Sequence, residues 1–328
     1  MIMDLGKGKV KAVCISEKKG VAKHPVDSAV FVKDHGIEGD AHAGNWHRQV
    51  SLLSALVIDE FNKKGASVKD GDFGENLIID GIDVSSLPVG STLIISGKSG
   101  EVSLRITQKG KECHSHCAIY QRVGDCIMPR KGMFAEVLNG GTVCPGDEVT
   151  VCAPDPDRAF SAAVIVLSDK GYAGEREDAS GPEAERILTE AGYEVIERIL
   201  IPDDKEKLKS ELIRLCDQRQ AELIVTSGGT GFSVRDTTPE ATLEVAERNA
   251  PGIAEYMRFR SAEVTDRAML SRGASVIRGH SIIVNLPGSP KAVRECLGYI
   301  LGGIEHGIRI LRGDVSECGK TDPSKEQR

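Results

Sequence analysis

Residues 221–231 read Ala-Glu-Leu-Ile-Val-Thr-Ser-Gly-Gly-Thr-Gly, a short β-branched run that passes directly into a glycine turn. An apolar run of this length, bounded by turn residues, predicts a strand buried on both faces. The same pattern recurs to either side, in Ala162–Leu167 (AAVIVL), Tyr193–Ile201 and Ser281–Leu286. Helical spacings lie between these runs. Ser180-Gly181-Pro182-Glu183 has the form of a capping box, and Ala184, Ile187, Leu188 and Ala191 follow on one face until Gly192 ends the helix. Leu208, Leu212, Leu215 and Cys216 mark a second helix. Thr237 or Thr238 ahead of Pro239 caps a third. Ser289-Pro290 opens a last one, with Val293, Cys296, Leu297, Ile300, Leu301 and Ile304 on its stripe. Strands alternating with helices predict an α/β three-layer domain, a mainly parallel sheet with helices on both faces.

The first 152 residues have a different grammar. GKVKAVCIS, SAVFVKD, ENLIIDG, STLIISG, EVSLRITQ and DEVTVC are short strand-like segments bounded by Gly, Asp or Pro, which predicts an all-β barrel or sandwich. One stretch, Ser51 to Lys63, reads as helical. The change of pattern falls at Ala153-Pro154-Asp155-Pro156-Asp157-Arg158, where alternating prolines and acids favour an extended spacer. The expected organisation is therefore a β domain over 1–152, a linker over 153–160, an α/β domain over 161–312 and a polar flexible tail over 313–328. A length of 328 residues agrees with about two domains.

Composition removes several classes of function. Aromatic residues make up 4% of the chain and the formal net charge is −7, so neither stacking platforms nor a basic footprint for nucleic acid are available. No apolar run approaches the roughly 18 residues that span a bilayer, and the N-terminal segment lacks the apolar core of a signal peptide. Nine cysteines, an odd number scattered along the chain, are expected to be free thiols in a reducing cytoplasm.

In open α/β sheets, ligands bind at the carboxyl ends of the strands, and the residues there carry chemistry. Thr226-Ser227-Gly228-Gly229-Thr230-Gly231 can turn successive N–H groups toward phosphate oxygens, although it fits neither a Walker A loop nor G-x-G-x-x-G, and a plain tight turn is the alternative. Asp236, in Arg235-Asp236-Thr237-Thr238-Pro239, stands close to this turn in sequence. A carboxylate beside bound phosphates needs a divalent cation between them, so Asp236 implies Mg²⁺ unless it only caps the next helix. Asp203, in Ile201-Pro202-Asp203-Asp204, is a catalytic acid or an N-cap. Pro287-Gly288-Ser289 forms a strand-to-helix turn whose N–H groups face an anion.

Taken in order, VLSDKGYAGEREDASGP, IPDD, TSGGTG, RDTTPEAT and LPGSPKAV resemble the MogA/MoaB-like molybdopterin-binding family, over roughly residues 160 to 312. The resemblance implies a molybdopterin adenylyltransferase, which joins molybdopterin to AMP from Mg-ATP and releases pyrophosphate. Carried over by position, it implies key acids at Asp203 and Asp236, with Mg²⁺ on Asp236 and Asp203 as a second candidate ligand. It implies nucleotide and pterin contacts at Asp178, Ser180, Ser227, Gly228, Gly229, Thr230, Gly231, Pro287, Gly288 and Ser289, and a homotrimer formed through this domain.

Two clusters stand out before residue 150: His35 to Leu52, rich in Gly, His and Asp, and Cys113-His114-Ser115-His116-Cys117. The latter lacks the paired spacing of structural zinc sites. Positive neighbours Lys111 and His114 favour a reactive thiol, against a buried structural one. G-I-x-G-D-x-H, Gly74-Glu75-Asn76-Leu77, the cysteine segment and Gly146-Asp147 together resemble a MOSC domain over about residues 8 to 152. That resemblance implies a β-barrel-like fold that binds the molybdenum cofactor or carries sulfur, with Asp40, His42, Glu75 and Asn76 at its pocket and the key cysteine at Cys113 or Cys117. Both halves thus imply molybdenum cofactor biosynthesis, with molybdopterin, ATP, other cofactor-biosynthesis proteins or molybdoenzymes as partners. The alternatives are a non-catalytic cofactor carrier or storage protein, and a cysteine-based sulfurtransferase.

Overall fold

The computed structural model describes residues 3–97, 100–111, 120 and 124–313. The chain forms two units, Met1–Arg158 and Ala159–Arg328.

The first unit is built from eleven strands: β1 (Asp4–Ile15), β2 (His24–Val26), β3 (Ala29–Val32), β4 (Gly36–Ile37), β5 (Val50–Ser54), β6 (Leu77–Asp80), β7 (Thr92–Gly97), β8 (Gly100–Lys109), β9 (Met133–Asn139), β10 (Gly141–Val143) and β11 (Glu148–Cys152). Seven of them close a ring in the order β11-β7-β8-β9-β5-β6-β1, because β1 also pairs with β11; β2 hangs from β1, and β10-β3-β4 form a separate small sheet. Side-chain alternation explains the closure. Leu52, Leu77, Ile79, Met133 and Ala135 join the core inside the ring. Their neighbours Leu53, Ile78 and Phe134 point outward and pack with Ile58 and Phe61 of the helix Ala55–Lys63. That helix begins four residues later than the sequence reading: Val50–Ser54 is a fully buried strand, paired in parallel with β6. Strand β9, which the sequence reading passed over, supplies ring contacts to both β8 and β5.

The second unit contains β12 (Ser161–Leu167), β13 (Glu194–Ile201), β14 (Leu223–Ser227), β15 (Arg248–Asn249), β16 (Ser275–Arg278) and β17 (Ser281–Leu286), in the sheet order β13-β12-β14-β17-β16-β15. The four strands read from sequence pair in parallel. Strands β15 and β16 add an antiparallel edge. A core lies on each face. Ala162, Val164, Val225 and Val284 pack against the helices Ser180–Glu190, Pro251–Ala262 and Pro290–Arg312. Ala163, Ile165, Ile224 and Ile283 pack against the helix Lys205–Ile213 and against Ala241 of the helix Thr238–Glu244. Four parallel strands, of which the edge strand β13 is only half-buried, therefore present their carboxyl ends, and the loops that follow, at one rim.

Candidate functional site

At that rim the turn after β14 is shaped by contacts no side chain could survive. Gly228 has φ +108° and a Cβ there would lie 2.4 Å from the Leu167 carbonyl oxygen; Gly229 has φ +64° and its Cβ would lie 2.3 Å from Thr238 Oγ1. The turn's carbonyls are all taken up by the protein. Thr238 Oγ1 donates to Gly228 O at 3.0 Å and Thr238 N–H to Gly229 O at 3.2 Å. The Arg272 N–H donates to Thr230 O at 3.0 Å, and its Nε to Gly231 O at 2.7 Å. Among the described residues, the N–H groups of Gly229, Thr230 and Gly231 have no partner. A row of bare donors with every carbonyl turned away is an anion cradle. Pro287 and Gly288 border it: Ser227 Oγ donates to Pro287 O at 3.2 Å, and Gly288 abuts the Gly228 backbone.

The two acids flank this cradle. A Cβ on Gly229 would come within 3.7 Å of Asp203 Oδ1, and one on Gly231 within 2.9 Å of Asp236 Oδ2. Neither acid caps a helix. Asp204 takes that duty for Lys205–Ile213, accepting the Lys207 N–H at 2.8 Å. Asp203 instead accepts the Asp169 N–H at 3.1 Å, while Asp236 accepts the Ser233 N–H at 2.9 Å. Burial raises the pKa of Asp203 above the usual carboxylate range, and the charges of Asp169 and Asp236 push the same way. Asp169 is a third carboxylate at the rim, paired with Arg235 at 2.7 Å. Asp169 lies in the VLSDKGYAGEREDASGP stretch, although its place at the rim follows only from the fold, and Arg272 belongs to none of the motifs quoted above.

The remaining rim residues divide. Ser289 caps the helix Pro290–Arg312, accepting the Ala292 N–H at 3.2 Å. Ser180 is not the N-cap that the capping-box reading requires. The carboxylate of Asp178 accepts from Ser180 N–H, Ser180 Oγ and Gly181 N–H at 2.9–3.1 Å, because the helix starts at Ser180 itself. Glu183 pairs with Arg186 and Arg294 rather than closing the box. Thr230, Gly231 and Pro287 also open onto a cavity of about 420 Å³. Its walls include Met257, Ala268, Leu270 and Cys296, with Arg258, Arg267 and Glu295 as charged groups. Asn285 forms part of the wall and is held by Thr226 and Thr242, its amide donating to their hydroxyls at 3.0 and 2.8 Å.

In the first unit, hydrogen bonds join Asp40 to His42 and Asn76, and Glu75 precedes Asn76 in the chain. Asp40 is fully enclosed and pairs with an equally buried Lys23, 2.7 Å away. It also accepts from the N–H groups of Ser16 and His42 and from the Asn76 amide. Burial alone would raise its pKa, but the bonds from His42 and Lys23 outweigh this and hold it below the usual range. Asp40 is thus saturated by protein donors. Glu75 differs: one oxygen accepts the Gly71 N–H at 2.8 Å, and the other is buried without a partner among the described residues. Burial lifts its pKa to about 7. Cys113 and Cys117 lie outside the described residues. Lys111, the last described residue before them, stands over the Phe134 ring, as does Arg48.

Comparison with known proteins covers both units. The family described as a probable molybdopterin binding domain matches residues 163–306, and the MOSC domain matches residues 39–150. The molybdopterin adenylyltransferase of Helicobacter pylori (strain J99) is 38% identical over 159 residues, 48% of this chain and 90% of that protein. The enzyme of the same name from Escherichia coli K12 is 41% identical over 155 residues, 46% of this chain and 75% of its own length. The Drosophila melanogaster molybdenum cofactor synthesis protein cinnamon is 39% identical over 165 residues, 50% of this chain and 27% of that protein.

Proposed function

We propose, from the premise that this chain belongs through its C-terminal half to the molybdopterin adenylyltransferase family and carries a MOSC domain ahead of it, that it adenylylates molybdopterin with Mg-ATP. The observation that carries the reading is the row of unpartnered N–H groups at Gly229, Thr230 and Gly231 between the carboxylates of Asp203 and Asp236. The donors hold phosphate oxygens, and the cavity beside Thr230 and Pro287 has the size and apolar walls to hold a flat heterocycle.

In the reaction, a phosphate oxygen of molybdopterin attacks the α-phosphorus of ATP, a new P–O bond forms, and the bond to the pyrophosphate oxygen breaks. The chain's work is positioning and charge compensation. The glycine turn fixes one phosphate, Asp203 is held by Asp169, and Asn285 shapes the cavity wall. Among the described residues no group of three or more His, Cys, Asp or Glu side chains is gathered to hold a metal. This donor set fits Mg²⁺, which takes one or two carboxylates and completes its shell with substrate phosphates and water. Asp236, with Asp203, would hold it, and the ion would offset charge on the phosphates.

The N-terminal unit binds the molybdenum cofactor or carries sulfur on Cys113 or Cys117. A homotrimer through the C-terminal unit is supported by exposed Phe259 and Met269, 67% and 73% accessible. A reducing cytoplasmic setting is supported by the free thiols of Cys14, Cys144, Cys152, Cys216 and Cys296. Among the described residues no helix is long and apolar enough to cross a membrane. Incubation of the chain with molybdopterin and Mg-ATP tests the central reading: AMP-linked pterin and pyrophosphate are expected. Tight pterin binding without either product would instead make the chain a carrier.

A further inference from the structure

Arg272 lies between the turn of helix Asp266–Leu270 and β16, outside every motif in the chain, yet it reaches both halves of the rim. Its N–H donates to Thr230 O at 3.0 Å and its Nε to Gly231 O at 2.7 Å. One terminal nitrogen donates to the carbonyl of Asp236, and the other pairs with Glu240. The planar guanidinium thus joins the Gly231 carbonyl to the backbone of the acid opposite it, while the main-chain N–H of Arg272 holds Thr230 O. The effect on the turn is directional. The Thr230 carbonyl shares its peptide with the Gly231 N–H, and the Gly231 carbonyl shares its peptide with the Phe232 N–H, so the main chain of Arg272 orients the last donor of the turn and its guanidinium fixes the exit of the turn. The effect on Asp236 is one of distance, since its main chain and that of Gly231 share one guanidinium.

We infer that Arg272 is a positioning residue, whose guanidinium fixes the exit of the glycine turn at Gly231 and so sets the separation of the turn's N–H donors from the Asp236 carboxylate. The inference rests on the adenylylation reading for its chemical consequence, but the ordering of the rim is a property of the chain itself. Lysine at this position keeps the charge and the Glu240 partner, and replaces the fork with a point donor that cannot hold Gly231 and Asp236 together.

Arg272→Lys and Glu240→Gln distinguish positioning from simple loss of an ion pair. In Arg272→Lys, hydrogen exchange at the amides of residues 229–236 is expected to quicken about tenfold, and Mg-ATP affinity measured by calorimetry to fall about tenfold. Turnover should fall by about the same factor or more, with the KM for molybdopterin within about threefold of wild type. Glu240→Gln, which removes the ion pair and leaves the carbonyl bonds, should stay near wild type on all readouts. Unchanged exchange at residues 229–236 in Arg272→Lys, or an equal loss in Glu240→Gln, overturns the inference. If the wild-type chain forms no AMP-linked pterin, the adenylylation reading falls, and the exchange comparison still decides the role of Arg272.

Discussion

Asp169 and Asp203 each give a backbone N–H to the other's carboxylate, at 3.1 and 2.9 Å, across the carboxyl ends of the adjacent strands β12 and β13. The exchange locks the loop after one strand to the loop after its neighbour. It also fixes which face of the Asp203 carboxyl is left toward Gly229. Asp169→Ala is expected to slow pyrophosphate release about tenfold, while Asp169→Asn, whose amide oxygen still accepts the Asp203 N–H, should lose less. Equal rates for wild type and Asp169→Ala, in a coupled pyrophosphate assay, would show that the brace has no bearing on turnover.

Asp236→Asn removes a charge and keeps the shape of the residue. Pyrophosphate release should drop about a hundredfold or more, with the melting temperature unchanged. A wild-type rate in this variant would sink the assignment of Mg²⁺ to Asp236.

Glu75 gives the N-terminal unit a pH dependence of definite sign. Its pKa rises from 4.5 in the unfolded chain to about 7 in the fold, so the folded form holds the proton more tightly. The associated stability is present below pH 4.5 and is lost as pH rises through 7, for a total of about 3 kcal/mol. Trp46 is the single tryptophan and lies in this unit, so its fluorescence reports that transition alone. Urea titrations at pH 5 and pH 8 should show the loss in wild type, and Glu75→Gln should flatten it. A loss of the same size in Glu75→Gln would assign the effect elsewhere.

Asp40→Ala leaves the buried ammonium of Lys23 without its counter-ion. The expected cost to the N-terminal unit is about 3–5 kcal/mol, again read by Trp46 in urea. A cost below about 1 kcal/mol would mean that water reaches Lys23 in the native fold.

Phe259→Asp places a charge on the exposed face of the helix Pro251–Ala262, where Tyr256 stands one turn away. Sedimentation should show a trimer for wild type and monomers for the variant. Wild-type assembly in Phe259→Asp would move the interface to another surface.

The positions of the glycine turn and of Asp203 were legible because each follows a strand, β14 and β13, where short-range patterning and topology dictate position together, and Asp236 was legible from its nearness in sequence to the turn. Arg272 was not legible: its four partners are Thr230, Gly231, Asp236 and Glu240, three of them engaged through backbone carbonyls that no side-chain pattern encodes. Lys23 was hidden for a related reason, since its burial depends on Asp40, 17 residues away, and on closure of the ring. Strand β5 was read as helix because Leu52, Ala55, Leu56 and Ile58 satisfy a helical period, while parallel pairing with β6 is a tertiary contact that local periodicity does not register. Ser180 was given the cap because the box pattern fits, whereas Asp178, two residues earlier, is the stronger acceptor for the same N–H groups.

Asp203 and Asp204 are chain neighbours with opposite employment, one facing the rim and one starting a helix. Deleting Pro202 would slide the pair along the loop and bring the wrong carboxylate to each place. Homologous chains should therefore vary freely in the exposed turns of the helix Lys205–Ile213, and should keep the length of this four-bond connection fixed.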